Sequence, residues 1–316
     1  MTDAMAWSRR LIFWTIVIVL AALAPVRAQS RDDAGSDHRI QVVASFSILG
    51  DFTKEVAGAR ADVTTLVGTN GDVHVFTPTP ADVRKVAAAK LVIVNGLGLE
   101  GWLPRLVQAS GGHAAIVVAS SGVALRGADA GERHSTRHDE GPADPHAWQS
   151  VANAKVYVAN IRDGLIAADP SREAVYRANA AAYLSRLDAL DREVREAVAR
   201  IPPERRKVIS THNAFGYFEA AYGIAFIAPQ GVSTDSEPSA RDIAMTVTQI
   251  RNAKIPAIFL ENLSDERLIR RIAAESGARV GGTLYSDSLS DENGDAPTYI
   301  DMVRHNIKAM TSALVD

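Results

Sequence analysis

The chain of 316 residues contains no cysteine. That absence excludes disulfides, thiolate metal sites and lipid attachment through a thiol, so the fold must rest on core packing or on metal held by other ligands. Long apolar runs are equally scarce. The one at residues 11–24 is shorter than the ~20 residues that span a bilayer. Arg9 and Arg10 precede it and Val26-Arg27-Ala28 follows it, which predicts a signal peptide over residues 1–28, cleaved to leave Gln29 first, and a periplasmic protein. Ser8-Arg9-Arg10 also fits a twin-arginine signal, so the general secretory and twin-arginine routes both stay open. No charge of one sign dominates, since the net charge is −3. Losing Arg9, Arg10 and Arg27 with only Asp3 makes the mature chain more acidic still, and no nucleic-acid partner is expected.

What remains after residue 28 exceeds the usual size of one domain. Residues 40–46 read as a buried strand, followed by helical periodicity through Ile48, Phe52 and Val56. Further strands are predicted at 62–67, 91–94 and 114–119, with a helix between them that Thr79 caps and Pro80 begins. Residues 122–143, rich in Gly, Asp, Arg and His without an apolar period, predict a mobile loop. A helix over about 151–166 follows. From Pro170 and Ser171 an unbroken helical pattern runs to Arg200, with Tyr176, Ala180, Tyr183, Leu187, Leu190 and Val194 on one face. At ~1.5 Å per residue it extends about 45 Å, and Pro202-Pro203 stops it. The second half repeats the alternation, with strands at 207–210, 257–260 and 279–285 and helices at 214–222, 265–276 and 298–314. Strands alternating with helices argue an α/β fold of two lobes, each with a mainly parallel sheet flanked by helices, joined by one long linking helix. The expected boundaries are 29–169, 170–201 and 202–316.

Against this background His74, His146, His212 and Asp287 stand out. A lone loop histidine is ordinarily a surface or hydrogen-bonded residue. Together, however, three neutral imidazoles and one carboxylate make a complete shell for a first-row divalent metal. His74, His212 and Asp287 follow strands, where open α/β sheets bind ligands, whereas His146 precedes a helix. Two ligands from each lobe would place the ion in the cleft and add its binding energy to the closed form.

The sequence around each residue carries a resemblance. Gly71-Asp72-Val73-His74, with the Thr77-Pro78-Thr79-Pro80 run and Asp82-Val83, resembles the first metal-ligand motif of the zinc and manganese solute-binding proteins of ABC importers. Asp144-Pro145-His146-Ala147-Trp148 is similar to the second motif. Ser210-Thr211-His212-Asn213-Ala214-Phe215-Gly216-Tyr217-Phe218 is similar to the third, whose ligand is histidine in many members and glutamate in typical manganese members. Leu284-Tyr285-Ser286-Asp287-Ser288-Leu289 matches the fourth. The resemblance covers essentially the whole mature chain. It implies two α/β lobes bridged by a rigid helix, high-affinity metal binding in the cleft, and delivery to an inner-membrane permease driven by a cytoplasmic ATPase. A metal-loading chaperone is a further candidate partner, and a monomer is expected. Val73 and Val75 depart from the proline or polar residue expected beside the first ligand, but neither side chain is needed for coordination.

Three nitrogens and one carboxylate suit tetrahedral Zn(II), whereas Mn(II) prefers more oxygen and higher coordination. A manganese-binding counterpart is the alternative, and bidentate coordination by Asp287 would favour it. A zinc hydrolase needs an open coordination position for water, but Asp287 fills that position and no HExxH pattern occurs, so the chain reads as a binding protein and not an enzyme. A surface adhesin has no support without repeats or a lipid anchor. His134 and His138 in the predicted loop could collect metal, a role resembling that of longer His-rich loops in zinc-binding relatives, against the competing reading of a solvated loop. His38, His113 and His305 show no ligand context. Glu237 reads as lobe packing or a permease contact.

Overall fold

Short aliphatic runs bounded by polar turns fold here as parallel strands, and the central ones are buried on both faces. The structure, a computed structural model, describes residues 39–127 and 143–315. The expected signal peptide, the leader with His38, and His134 and His138 lie outside those residues. In the first lobe, β1 (Ile40–Phe46), β2 (Ala61–Val67), β3 (Leu91–Val94) and β4 (Ala115–Val118) alternate with α1 (Ser47–Ala57), α2 (Pro80–Ala88) and α3 (Leu103–Ala109). Next come α4 (Val151–Ala168) and the long α5 (Glu173–Ala199). The second lobe holds β5 (Lys207–Ile209), α6 (Gly216–Tyr222), β6 (Ala225–Ile227), α7 (Ala240–Ala253), β7 (Ala257–Glu261), α8 (Glu266–Ser276), β8 (Arg279–Leu284) and α9 (Tyr299–Leu314).

Both sheets are parallel and share one topology, β2-β1-β3-β4 and β6-β5-β7-β8. The direction of strand addition reverses between β1 and β3 and again between β5 and β7. Loops beyond the carboxyl ends of those strands diverge and leave a crevice, so each lobe presents one.

Helix α5 backs both lobes. Its apolar stripe, Tyr176, Ala180, Tyr183, Leu187, Leu190 and Val194, is buried throughout, and each large side chain so placed contributes roughly 1.5–3 kcal/mol. The exposed pairs Arg186–Glu55 and Arg304–Glu193, each at 2.8 Å, tie it to α1 and α9 but add at most about 1 kcal/mol apiece. Packing therefore holds the helix. One apolar core runs from Val42 and Phe46 through Trp148 and Leu187 to Phe259 and Met310, so both sheets share it.

Three elements go beyond the sequence reading. β6 is three residues long and too short to show a period; Phe226 holds it by stacking on Phe215 at 4.5 Å. The seven-residue α3 is likewise too short to declare a face. Helix α7 does carry a written signal, the capping box of Ser239 and Asp242, but its Thr- and Val-rich interior favours an extended reading. Helix α6 ends as expected at Gly223, which adopts φ 79°, yet begins at Gly216 rather than Ala214. Residues 212–215 are occupied in an irregular turn instead, with Asn213 N–H donating to Gly231 O and Ala214 N–H to His212 O.

Candidate metal centre

Local turns and groups distant in the chain set the candidate ligands. At the exit of β2, Asp72 Oδ1 accepts the backbone N–H of His74 at 2.9 Å. Asp144 Oδ1 does the same for His146 at 2.9 Å, and the shared Asp-x-His spacing is that of an Asx turn. Asp144 Oδ1 also lies 2.8 Å from His146 Nδ1. At the exit of β5, Glu261 Oε1 accepts the N–H groups of Thr211 and His212 at 2.8 and 3.0 Å, while Oε2 sits 2.6 Å from His212 Nδ1. Ser286 Oγ donates to Glu261 Oε2 at 2.8 Å. The carbonyl of Ser286 in turn accepts from Trp148 Nε1 and Gln149 Nε2 at 2.9 and 2.7 Å, which seats the Asp287 loop against the first lobe.

These turns bring His74, His146, His212 and Asp287 together, with one donor atom from each lying within 4.8 Å of all the others. His74 Nε2 is 3.3 Å from His146 Nε2 and 3.4 Å from Asp287 Oδ2. Asp287 Oδ1 is 3.5 Å from His146 Nε2, and Oδ2 is 3.1 Å from His212 Nε2. A tetrahedral ion with bonds of ~2.0–2.1 Å separates its donors by ~3.3 Å. His146, His212 and Asp287 are buried and His74 nearly so. Neither carboxylate oxygen of Asp287 has a well-aligned hydrogen-bond partner, so its buried charge is offset only by the imidazoles around it. A carboxylate only accepts, so Asp144 holds the ring proton of His146 at Nδ1 and turns its Nε2 lone pair toward the other candidate ligands, while Glu261 Oε2 sets its charge against the Nδ1 edge of His212.

Residues 42–313 match the family model ZnuA, zinc-uptake complex component A, periplasmic. The chain belongs to this family. It is 33% identical over 305 residues to the manganese-binding lipoprotein MntA of Halalkalibacterium halodurans, covering 96% of this chain and 98% of that one. The iron-binding protein YfeA of Yersinia pestis is 30% identical over 303 residues, covering 95% and 94% of the two chains. Among solved structures, the periplasmic zinc-binding protein TroA of Treponema pallidum superposes with a TM-score of 0.80 at 31% identity, covering 88% of this chain and all of that one. The chain is thus a metal-binding solute-binding component of an ABC importer, which works with a membrane permease and an ATPase, and it is not an enzyme. No described helix is long and apolar enough to cross a membrane.

Protons occupy the donors that a cation would need here. Burial alone would lower the pKa of His212, but the carboxylates of Glu261 and Asp287 outweigh it and hold the imidazole well above its usual range. Asp287 responds in the opposite sense: burial would raise it, yet His212 and His146 hold it well below the usual carboxylate range. A raised histidine stabilises the metal-free fold fully below its unfolded pKa and loses that contribution as pH rises through the folded value. Asp287, being depressed, stays ionised throughout mild acid and neutrality. A cation held by these four residues would therefore have to displace the His212 proton. Its binding is expected to release protons and its stabilisation to grow from pH 5 toward pH 8. Calorimetry in buffers of different ionisation enthalpy reads that release directly, and an enthalpy independent of buffer would contradict it.

Asp72, Asp144 and Glu261 carry no ligand signal of their own in the sequence. The first two were legible as Asp-x-His turns. Glu261 ends an apolar strand far in sequence from His212, and no local pattern links them. Gly216 marks another join, because a Cβ there would stand 2.7 Å from Asp144 Oδ2, so only glycine lets α6 approach the His146 turn this closely. His113 is exposed, and His305 contacts Thr283 O at 2.9 Å outside the site. Glu237 is exposed, which removes lobe packing as its role.

Proposed function

We propose that the chain binds Zn(II) with high affinity through His74, His146, His212 and Asp287 and carries it across the periplasm to the importer's permease. The observation that carries this reading is the convergence of imidazole Nε2 atoms on a buried carboxylate without well-aligned hydrogen-bond partners. The spacing suits a small first-row ion, and the donor chemistry, three nitrogens to one carboxylate, favours zinc. Manganese is the second reading. Both Asp287 oxygens lie within 3.5 Å of histidine nitrogens, an orientation compatible with bidentate binding, and the MntA relative is named for manganese. Metal analysis of protein purified from the exported fraction without added metal separates the two, with one zinc per chain expected.

His212 offers the sharper test of selectivity. The carboxylate of His212→Glu exchanges a nitrogen for a harder oxygen donor, which suits manganese more than zinc, so the ratio of zinc to manganese affinity should narrow. Competition titrations that show an unchanged or wider ratio would remove His212 from the donor set.

The site is complete within one chain, which supports a monomer. Boundaries at 29–169, 170–201 and 202–316 fit this reading, as does cleavage after Ala28, which the mass of the exported protein checks. Exposed Glu237 is assigned to permease contact, and its substitution should lower uptake without changing metal affinity.

A further inference from the structure

His146 is the candidate ligand that does not sit at a strand exit, so something other than the sheet ladder must place its loop. In the second lobe that task falls to Glu261, the last residue of β7, which grips the backbone of the His212 loop. Strand β3 holds the equivalent place in the first sheet, third in a shared order. The residue immediately after its last residue, Val94, is Asn95, which is fully buried.

Every polar atom of Asn95 is engaged. Its Nδ2 donates to Pro145 O and to Gly96 O, each at 3.0 Å, and Oδ1 accepts from Tyr157 Oη at 2.5 Å. The backbone N–H donates to Glu100 Oε1 at 2.6 Å, and the carbonyl accepts from Ser120 Oγ at 2.6 Å. Two carbonyls can only accept, so the amide has one orientation: its N–H groups face Pro145 and its oxygen faces Tyr157. Pro145 immediately precedes His146.

We propose that Asn95 is a positioning residue of the metal site, the first-lobe counterpart of Glu261, which sets the His146 imidazole by gripping the carbonyl before it. Tyr157 and Glu100 act through Asn95, one orienting the amide and the other pinning its backbone. This rests on His146 being a metal ligand.

Zinc titrations and the visible spectrum of bound Co(II), recorded on the full mature chain, test it. Asn95→Asp keeps the size and the acceptor for Tyr157 but turns oxygen lone pairs toward two carbonyls. It should weaken zinc roughly tenfold to a hundredfold, as loss of partners to a metal's ligands does, and alter the Co(II) bands as the geometry loosens. Tyr157→Phe preserves the core volume and frees the amide to turn; it should act in the same direction by about threefold to tenfold. A purely structural role would lower the melting temperature of the metal-free protein and leave affinity and spectrum at wild type. That result in both variants, or in Tyr157→Phe alone should Asn95→Asp not fold, overturns the proposal. His146→Ala separates the two levels. Wild-type affinity there removes His146 from the donor set and the proposal with it, whereas weakened binding there beside unaffected Asn95 and Tyr157 variants overturns only the positioning role.

Discussion

Zinc added to the metal-free protein at a thousandfold excess over Kd is expected to raise its thermal midpoint by on the order of 10 °C, and Asp287→Ala is expected to abolish nearly all of that rise. A ligand that binds only the native state adds RT ln(1 + [L]/Kd), about 4 kcal/mol under those conditions, and each kcal/mol moves the midpoint of a chain this size by roughly 2–4 °C. Asp287 is the only anion in the donor set. Its oxygens face three histidine Nε2 atoms at 3.1–3.5 Å, and a divalent ion seated among those donors is attracted to the carboxylate more strongly than a protonated imidazole is. Removing the carboxylate takes away that differential term, and the metal-bound form should lose far more stability than the metal-free form. Differential scanning calorimetry with and without zinc measures both. A full zinc-induced shift in Asp287→Ala would mean that the ion is held elsewhere.

The second large effect is expected at Glu261. Its carboxylate serves the backbone N–H groups of Thr211 and His212, the hydroxyl of Ser286 and His212 Nδ1, and so joins two ligand loops. Glu261→Gln removes the charge with little change of volume. Breaking a buried pair from one side costs roughly 3–5 kcal/mol, against at most about 1 kcal/mol for an exposed pair such as Arg304–Glu193. Zinc affinity should fall as well, by about tenfold to a hundredfold, because the His212 ring loses the group that orients it. Denaturant unfolding of the metal-free variant and zinc titration of the folded one read the two losses independently. Wild-type values in both would show that the Ser210 hydroxyl, which donates to His212 O at 2.9 Å, and the β5 exit suffice to hold His212.

Strand β1, the Thr79 cap and the α5 stripe follow from periodicity and capping chemistry that any window of the chain displays, and the structure places them within a residue or two of where the sequence does. The donor types were legible in the same way: cysteine is absent and histidine precedes or follows the apolar runs, so an ion held by nitrogen and one carboxylate was available from residue chemistry alone. So were the Asp-x-His turns, which close over two residues. Beyond that range only the tertiary structure decides. Glu261 meets His212 and Asn95 meets Pro145 across separations of 49 and 50 residues, and each is an ordinary polar residue at or just past the end of an apolar strand until the sheet order puts the loops together. Local sequence determines which groups can donate a lone pair. Which lone pairs face one another, which ring nitrogen keeps its proton, and how the His146 loop reaches the cleft depend on packing between segments distant along the chain, because a hydrogen bond or an ion's coordination shell is set by position in space.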